Sequence, residues 1–237
     1  MSTGTRENRL FTALASLADT LVVGYDVVEL MQTLVDSCVD LLDVSAAGLL
    51  LADGTGQLEL VASTSEENRV VEAIQLSVEA GPCIDAFTKG RLVSVPDIEE
   101  GPDRWSEFVA VARENSVRSV HAIPLRLRES TIGTLNLFRS APGGLDEDDA
   151  MAAQALADMA TIGILNERTL RAADEVRAQL QGALTSRIAI EQAKGVLAHT
   201  HRVPVDEAFA MMRAYARSNS LPLSDVAQGL VDRTLIF

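Results

Sequence analysis

Two groups of side chains in this sequence are of types that do chemistry. Cys83, His121 and Asp97 are a thiol, an imidazole and a carboxylate, the parts of a nucleophilic set in which a base activates the thiol and an acid orients the base. Nothing in their spacing brings them together, and the chain is read as a protein without enzymatic activity. Cys83 and His121, with Trp105 and Phe108, are also candidates to line a small-molecule pocket, core packing being the competing role of the two aromatics. The second group is cationic. Arg213, Ala216, Arg217 and Ser220 recur at helical spacing along one flank, with Tyr215 and Asn219 beside them and Lys194 upstream. Guanidinium groups present planar forks that match phosphate oxygens, and a small residue between two of them lets a ligand backbone come close. The same spacing also describes an ordinary solvated helix face, and Ala193-Lys194-Gly195 an ordinary close helix crossing with Lys194 reaching outward along its stem.

The cations stand out because the rest of the chain is acidic. Residues 1 to 180 hold 14 basic and 29 acidic side chains, a net of -15, whereas residues 181 to 237 hold 6 and 5, a net of +1. An acidic body repels nucleic acid, so a polyanionic partner has to be met by the C-terminal segment. An apolar fraction of 47% with 23% charged residues is that of a folded globular chain and excludes disorder. The longest charge-free apolar stretch, residues 44 to 52, falls far short of the roughly 20 residues of a membrane span, and the polar start has no export segment. A cytoplasmic protein is expected. Cys38 and Cys83 are the only cysteines and neither belongs to a C-x-x-C pair, so there is no raw material for a disulfide framework or a zinc site, and no cofactor is called for.

These residues need elements to hold them. Leu10, Leu14, Leu17 and Leu21 share one helical seam, and Asp26 and Glu29 cap a second helix whose stripe is Leu30, Leu34, Cys38 and Leu42. Residues 46 to 52 and 57 to 64 are strands joined by Asp53-Gly54-Thr55-Gly56, and residues 117 to 128 and 131 to 139 form a second hairpin. A short strand is expected over residues 92 to 95, with helices over 66 to 76 and 104 to 115 and a helical turn after Gly81-Pro82. Five strands joined this way predict an α+β fold with an antiparallel sheet flanked by helices. From Asp146 the composition is helical up to Pro204, with Leu156, Met159, Gly163, Leu170, Ala173, Leu180 and Leu184 at heptad-like positions interrupted by Asn166 and Arg177. The acidic run from Asp146 to Asp149 suits the positive end of that helix. Pro204 and Pro222 each start a further helix, which makes the last sixty or so residues a small three-helix module.

Gly81-Pro82-Cys83-Ile84-Asp85-Ala86-Phe87, Val95-Pro96-Asp97, Trp105, Val120-His121-Ala122-Ile123-Pro124-Leu125 and Gly133-Thr134-Leu135-Asn136-Leu137 resemble the GAF sensory fold in order and spacing. Leu184-Thr185-Ser186-Arg187-Ile188-Ala189-Ile190-Glu191-Gln192-Ala193-Lys194-Gly195-Val196-Leu197, Glu207-Ala208-Phe209, Met212-Arg213 and Asp225-Val226-Ala227 resemble the ANTAR domain of transcription antiterminators. Together they resemble the actinobacterial GAF-ANTAR class of RNA-binding regulators. The resemblance implies an N-terminal amphipathic helix over residues 1 to 25, a GAF sensory domain over 26 to 165 and a helical linker or coiled coil over 166 to 180. An ANTAR module over 181 to 237 follows, its first helix beginning near residue 173. It further implies hairpin leader RNA as partner, a small-molecule or protein signal at the GAF domain, and transcription antitermination as the outcome. The unstacked bases and phosphates of hairpin loops suit the forks of Arg213 and Arg217, the ammonium of Lys194, the amide of Asn219 and the ring of Tyr215, with Ala216 leaving room. The cysteines of sulfoxide-reducing GAF domains, the Cys-His attachment of bilin-binding ones and the Asn-Lys-Phe-Asp-Glu pattern of cyclic-nucleotide ones are all missing, so no ligand is chosen. A protein-interaction module, or an enzyme using Cys83, are the alternatives. The N-terminal and long helices each carry an apolar seam beyond what a small α+β domain needs, and a homodimer that pairs them is expected, with packing of the helices back onto the sheet as the alternative.

Overall fold

Strand alternation organises the first part of the chain. A computed structural model describes residues 3–19 and 26–236, which divide into two compact units between Arg168 and Thr169. In the first unit β1 (Ala46–Ala52) is buried along its whole length, as the continuous apolar run requires of a strand covered on both faces. It pairs antiparallel with β2 (Leu58–Ser63), and Asp53 fixes the turn by accepting from the backbone N–H groups of Thr55 at 2.7 Å and Gln57 at 2.9 Å. β3 (Val93–Val95), β4 (Ser119–Leu127) and β5 (Ser130–Arg139) complete an antiparallel sheet of order β2-β1-β5-β4-β3.

The two faces of that sheet carry different cores, because successive side chains point to opposite sides. Leu49, Ile123, Leu135 and Leu137 lie with the buried stripe of α2 (Val27–Leu41), where Asp26 caps the helix by accepting from Val28 N–H at 2.9 Å. Ala46, Val120 and Phe138 lie on the other face with Val71 of α3 (Glu66–Ser77) and Phe108 of α5 (Ser106–Glu114). The turn expected after Gly81-Pro82 is a full two-turn helix, α4 (Pro82–Lys89). α5 is preceded by a 3-10 turn over Asp103–Trp105.

The N-terminal seam packs inward. In α1 (Thr3–Asp19) Leu17 is fully buried, and Leu10 and Leu14 pack against the same core as α2. Of the two covers expected for this seam, the domain's own core takes Leu10, Leu14 and Leu17; Leu21 lies outside the described residues. The long helix α6 runs from Glu147 to His201, and Asp146 caps it by accepting from Asp149 N–H at 2.6 Å. Its first part, with Leu156 and Ala160, completes the domain core, whereas Leu170, Leu180, Leu184 and Ile188 are exposed. In the second unit Ala189, Ala193 and Leu197 of α6 meet Met212 of α7 (Val205–Ser218) and Val226 of α8 (Leu223–Val231). No described helix is long and apolar enough to cross a membrane.

Candidate functional site

The cationic flank forms where α7 turns toward α8. Arg213 and Arg217 are one helical turn apart and exposed, because Ala208, Met212 and Ala216 take the buried stripe of the same helix. Ala216 is only 6% exposed and floors a groove of about 310 Å³ lined by Arg213, Arg217, Ser220, Leu221 and Leu223. Neither guanidinium makes an ion pair with a described residue, so both forks face the groove or solvent without a carboxylate to neutralise them. Lys194 is drawn to the same region. Its Nζ donates to the Glu191 carboxylate at 2.9 and 3.0 Å and lies 5.5 Å from the centre of the Phe209 ring, while Arg213 Cζ lies 5.8 Å from that ring. Phe209 therefore joins the two cations through its π face, an arrangement worth about 0.5–1 kcal/mol at an exposed site.

The remaining expected contacts are placed differently. Tyr215 is half-buried, with part of its ring against the module core. Asn219 donates from Nδ2 to Tyr215 O at 2.9 Å and to Ser218 Oγ at 3.1 Å, closing the end of α7. Phe209 was not among the expected site residues, yet its spacing of four and eight residues from Arg213 and Arg217 is the helical signature of one face.

In the first unit the four expected pocket residues do not come together. Phe108 and Trp105 pack edge-to-face with ring centres 6.5 Å apart, and Arg104 stacks on Trp105 at 5.2 Å. His121 pairs across the sheet with Leu137 and accepts or donates at Nδ1 with Ser94 Oγ at 2.9 Å, on the face opposite Val120 and Phe138. It therefore lies on the other side of the sheet from Phe108. Burial, with the nearby Arg139 charge, pushes its pKa down to about 4. Cys83 is buried with its backbone N–H donating to Gln75 Oε1 at 3.1 Å, and burial first, then the Glu72 charge, holds its thiol above the ordinary range. No Cys-His-acid set forms.

Buried polar side chains also lie on the α3 face of the sheet, two of them in contact. Glu72 and Gln75 of α3 and Thr134 and Asn136 of β5 are all fully buried. Asn136 Nδ2 donates to Glu72 Oε1 at 3.1 Å, and Gly48 opposite Asn136 leaves room, since a Cβ there would come within 2.0 Å of the carboxylate. Glu72 Oε2, Gln75 Nε2, Thr134 Oγ1 and Asn136 Oδ1 find no hydrogen-bond partner among the described residues. Each such group costs about 1–3 kcal/mol, so the free Glu72 and Asn136 oxygens beside their one shared hydrogen bond are a local cost to the core. Desolvation raises the Glu72 pKa to about 8, against the smaller lowering effect of the Asn136 hydrogen bond. No cluster of described residues is suited to hold a metal ion.

Comparison with known proteins agrees with this division. Residues 25–165 match the GAF domain family and residues 178–231 the ANTAR domain family. No curated protein matches the chain. Among solved structures it is similar to the GAF domain of an Acinetobacter phosphoenolpyruvate-protein phosphotransferase, with 15% identity, 71% of this chain and 97% of that chain covered, and a TM-score of 0.54. It is similar also to a free methionine-R-sulfoxide reductase from Neisseria meningitidis in complex with its substrate, with 20% identity, 72% and 95% coverage and a TM-score of 0.54. At these identities the likeness is one of fold.

Proposed function

Since the chain belongs to the GAF domain family and carries an ANTAR domain behind it, we propose that this signal-responsive regulator binds paired RNA hairpins and favours an antiterminator over a terminator. The observation that carries the reading is the groove of Arg213, Ala216 and Arg217, two unneutralised forks over a small floor in a chain of net charge -14. Arginine forks grip phosphate bidentately, and the alanine between them lets a backbone approach. Lys194, held near Arg213 through Phe209 and paired with Glu191, lies beside the two forks as a further phosphate donor once that pair opens. The chain makes and breaks no bond in this reading: the one thiol among the expected site residues is buried and held in its protonated form. The polar set around Glu72 receives the signal, a small polar molecule. The exposed residues Leu170, Leu180 and Leu184 of α6 pair with a second copy, and a dimer then offers two arginine grooves to two similar hairpins.

Transcription through a leader that can fold either an antiterminator or a terminator tests the function. Added protein raises the full-length product, and an Arg213→Ala/Arg217→Ala chain does not. Equal readthrough with both chains, or none with either, rejects the proposal.

A further inference from the structure

The first unit carries a second cationic feature, separate from the RNA groove. Of the lysines and arginines in residues 7 to 168, Arg9, Arg69, Lys89, Arg104, Arg113, Arg118, Arg139 and Arg168 each make an ion pair or a hydrogen bond to the protein. Arg91, Arg126 and Arg128 make neither with any described residue. These three line a single groove of about 530 Å³ at the tip of the β4–β5 hairpin. In an acidic unit, every other described cation of residues 7 to 168 is drawn to an acceptor of its own, and the three without one share a single groove.

The same groove collects apolar surface. Leu92, Leu127 and Ile162 line it, and each is about 45% exposed. It also runs along a strand edge: β3 pairs with β4 only from Val93 to Val95, so among the described residues no strand pairs with β4 beyond Ala122 on that side. Asp158, the groove's one carboxylate, accepts from Gln154 Nε2 at 2.8 Å and pairs with none of the three arginines, which leaves the groove a net positive charge.

We propose that this groove docks an acidic peptide segment carrying apolar side chains, supplied by a protein partner of the sensory domain. The charge complement selects the acidic chain, since three desolvating guanidinium groups discriminate by sign. Leu92, Leu127 and Ile162 supply the apolar contact that a free inorganic anion would not use. Arginines also guard exposed strand edges against self-association, and that role requires no bound peptide. The inference is independent of the RNA reading, because it uses neither Arg213 nor Arg217.

The test uses the full chain and a labelled peptide alternating glutamate and leucine, read by fluorescence anisotropy. The peptide binds, binding weakens as salt is raised, and an Arg126→Glu/Arg128→Glu chain of unchanged melting temperature binds on the order of tenfold or more weakly. A milder Arg126→Gln/Arg128→Gln chain falls between, which keeps the test informative where charge reversal disturbs the hairpin. Replacing leucine by serine in the peptide also weakens it. Absence of binding, equal binding by the variants, or equal binding of the serine peptide overturns the proposal. So does full competition by inorganic phosphate, which marks a small-anion site, or a matching loss of hairpin RNA affinity in the same variants, which marks an RNA surface.

Discussion

Glu72 departs from the ordinary behaviour of its residue type. Its folded pKa of about 8 lies above its ordinary value of 4.5, so the folded state holds a proton that the unfolded chain releases. The stability this confers is complete below about pH 4.5 and is lost as pH rises through about 8. Glutamine is isosteric with the protonated acid and keeps the bond from Asn136. Thermal melts of Glu72→Gln are therefore expected to overtake the parent chain as pH rises across that window; parallel melting curves at all pH values would contradict a protonated Glu72. His121 acts with the opposite sign: its pKa of about 4 means stability is lost as pH falls from 6.5 toward that value, which the Glu72 comparison cancels because both chains share it. Cys83 is expected to resist a thiol reagent in the native protein and to react on unfolding, while fast native labelling would reopen a role for its thiolate. At this scale the arginine flank was legible, because Arg213, Ala216 and Arg217 repeat at helical spacing. The Glu72 set was not. Asn68, Val71, Glu72 and Gln75 do follow the buried positions of α3, but a reading that follows apolar residues alone assigns the polar ones to solvent. His121 was grouped with Cys83 on type, and strand alternation separates it from the α3 face.

The elements were largely written in the sequence, since each depended on local periodicity: the two hairpins, the capped α2, and the helices after Pro204 and Pro222. The role of a seam was harder to read, because an apolar stripe says that a face is covered and not by what. In α1 the cover is the domain's own core. Leu17→Ala is accordingly expected to lower stability by about 2–5 kcal/mol in chemical denaturation, as a buried leucine does, and a change under about 0.5 kcal/mol would place Leu17 at the surface. α6 shows the same ambiguity along one helix, buried near Leu156 and exposed near Leu180. Gly182 sits in the exposed stretch with nothing within 4 Å of the place an added methyl would occupy, so Gly182→Ala is expected to stabilise α6 by about 0.5–1 kcal/mol. Loss of stability there would show that a neighbour approaches the helix at that point, as a paired second copy would.

For the whole molecule, charge and assembly decide the function. A net charge of -14 makes non-specific binding to nucleic acid unfavourable, so RNA affinity has to come from a few local cations and should be sensitive to each. Light scattering of the full chain at micromolar concentration is expected to give twice 25.4 kDa, and Leu180→Asp/Leu184→Asp to return it to the single-chain mass. A dimer unmoved by those changes would assign the interface elsewhere. The central claim is that RNA is held by the α7 arginines, and the affinity of the full chain for a paired-hairpin leader RNA, measured across a range of salt concentrations, tests it most directly. The account predicts that log affinity falls linearly with log salt, and that Arg213→Ala and Arg217→Ala each cost on the order of 1 kcal/mol or more and reduce the slope by about one. Affinity and slope unchanged in both variants, with normal circular dichroism, would contradict it.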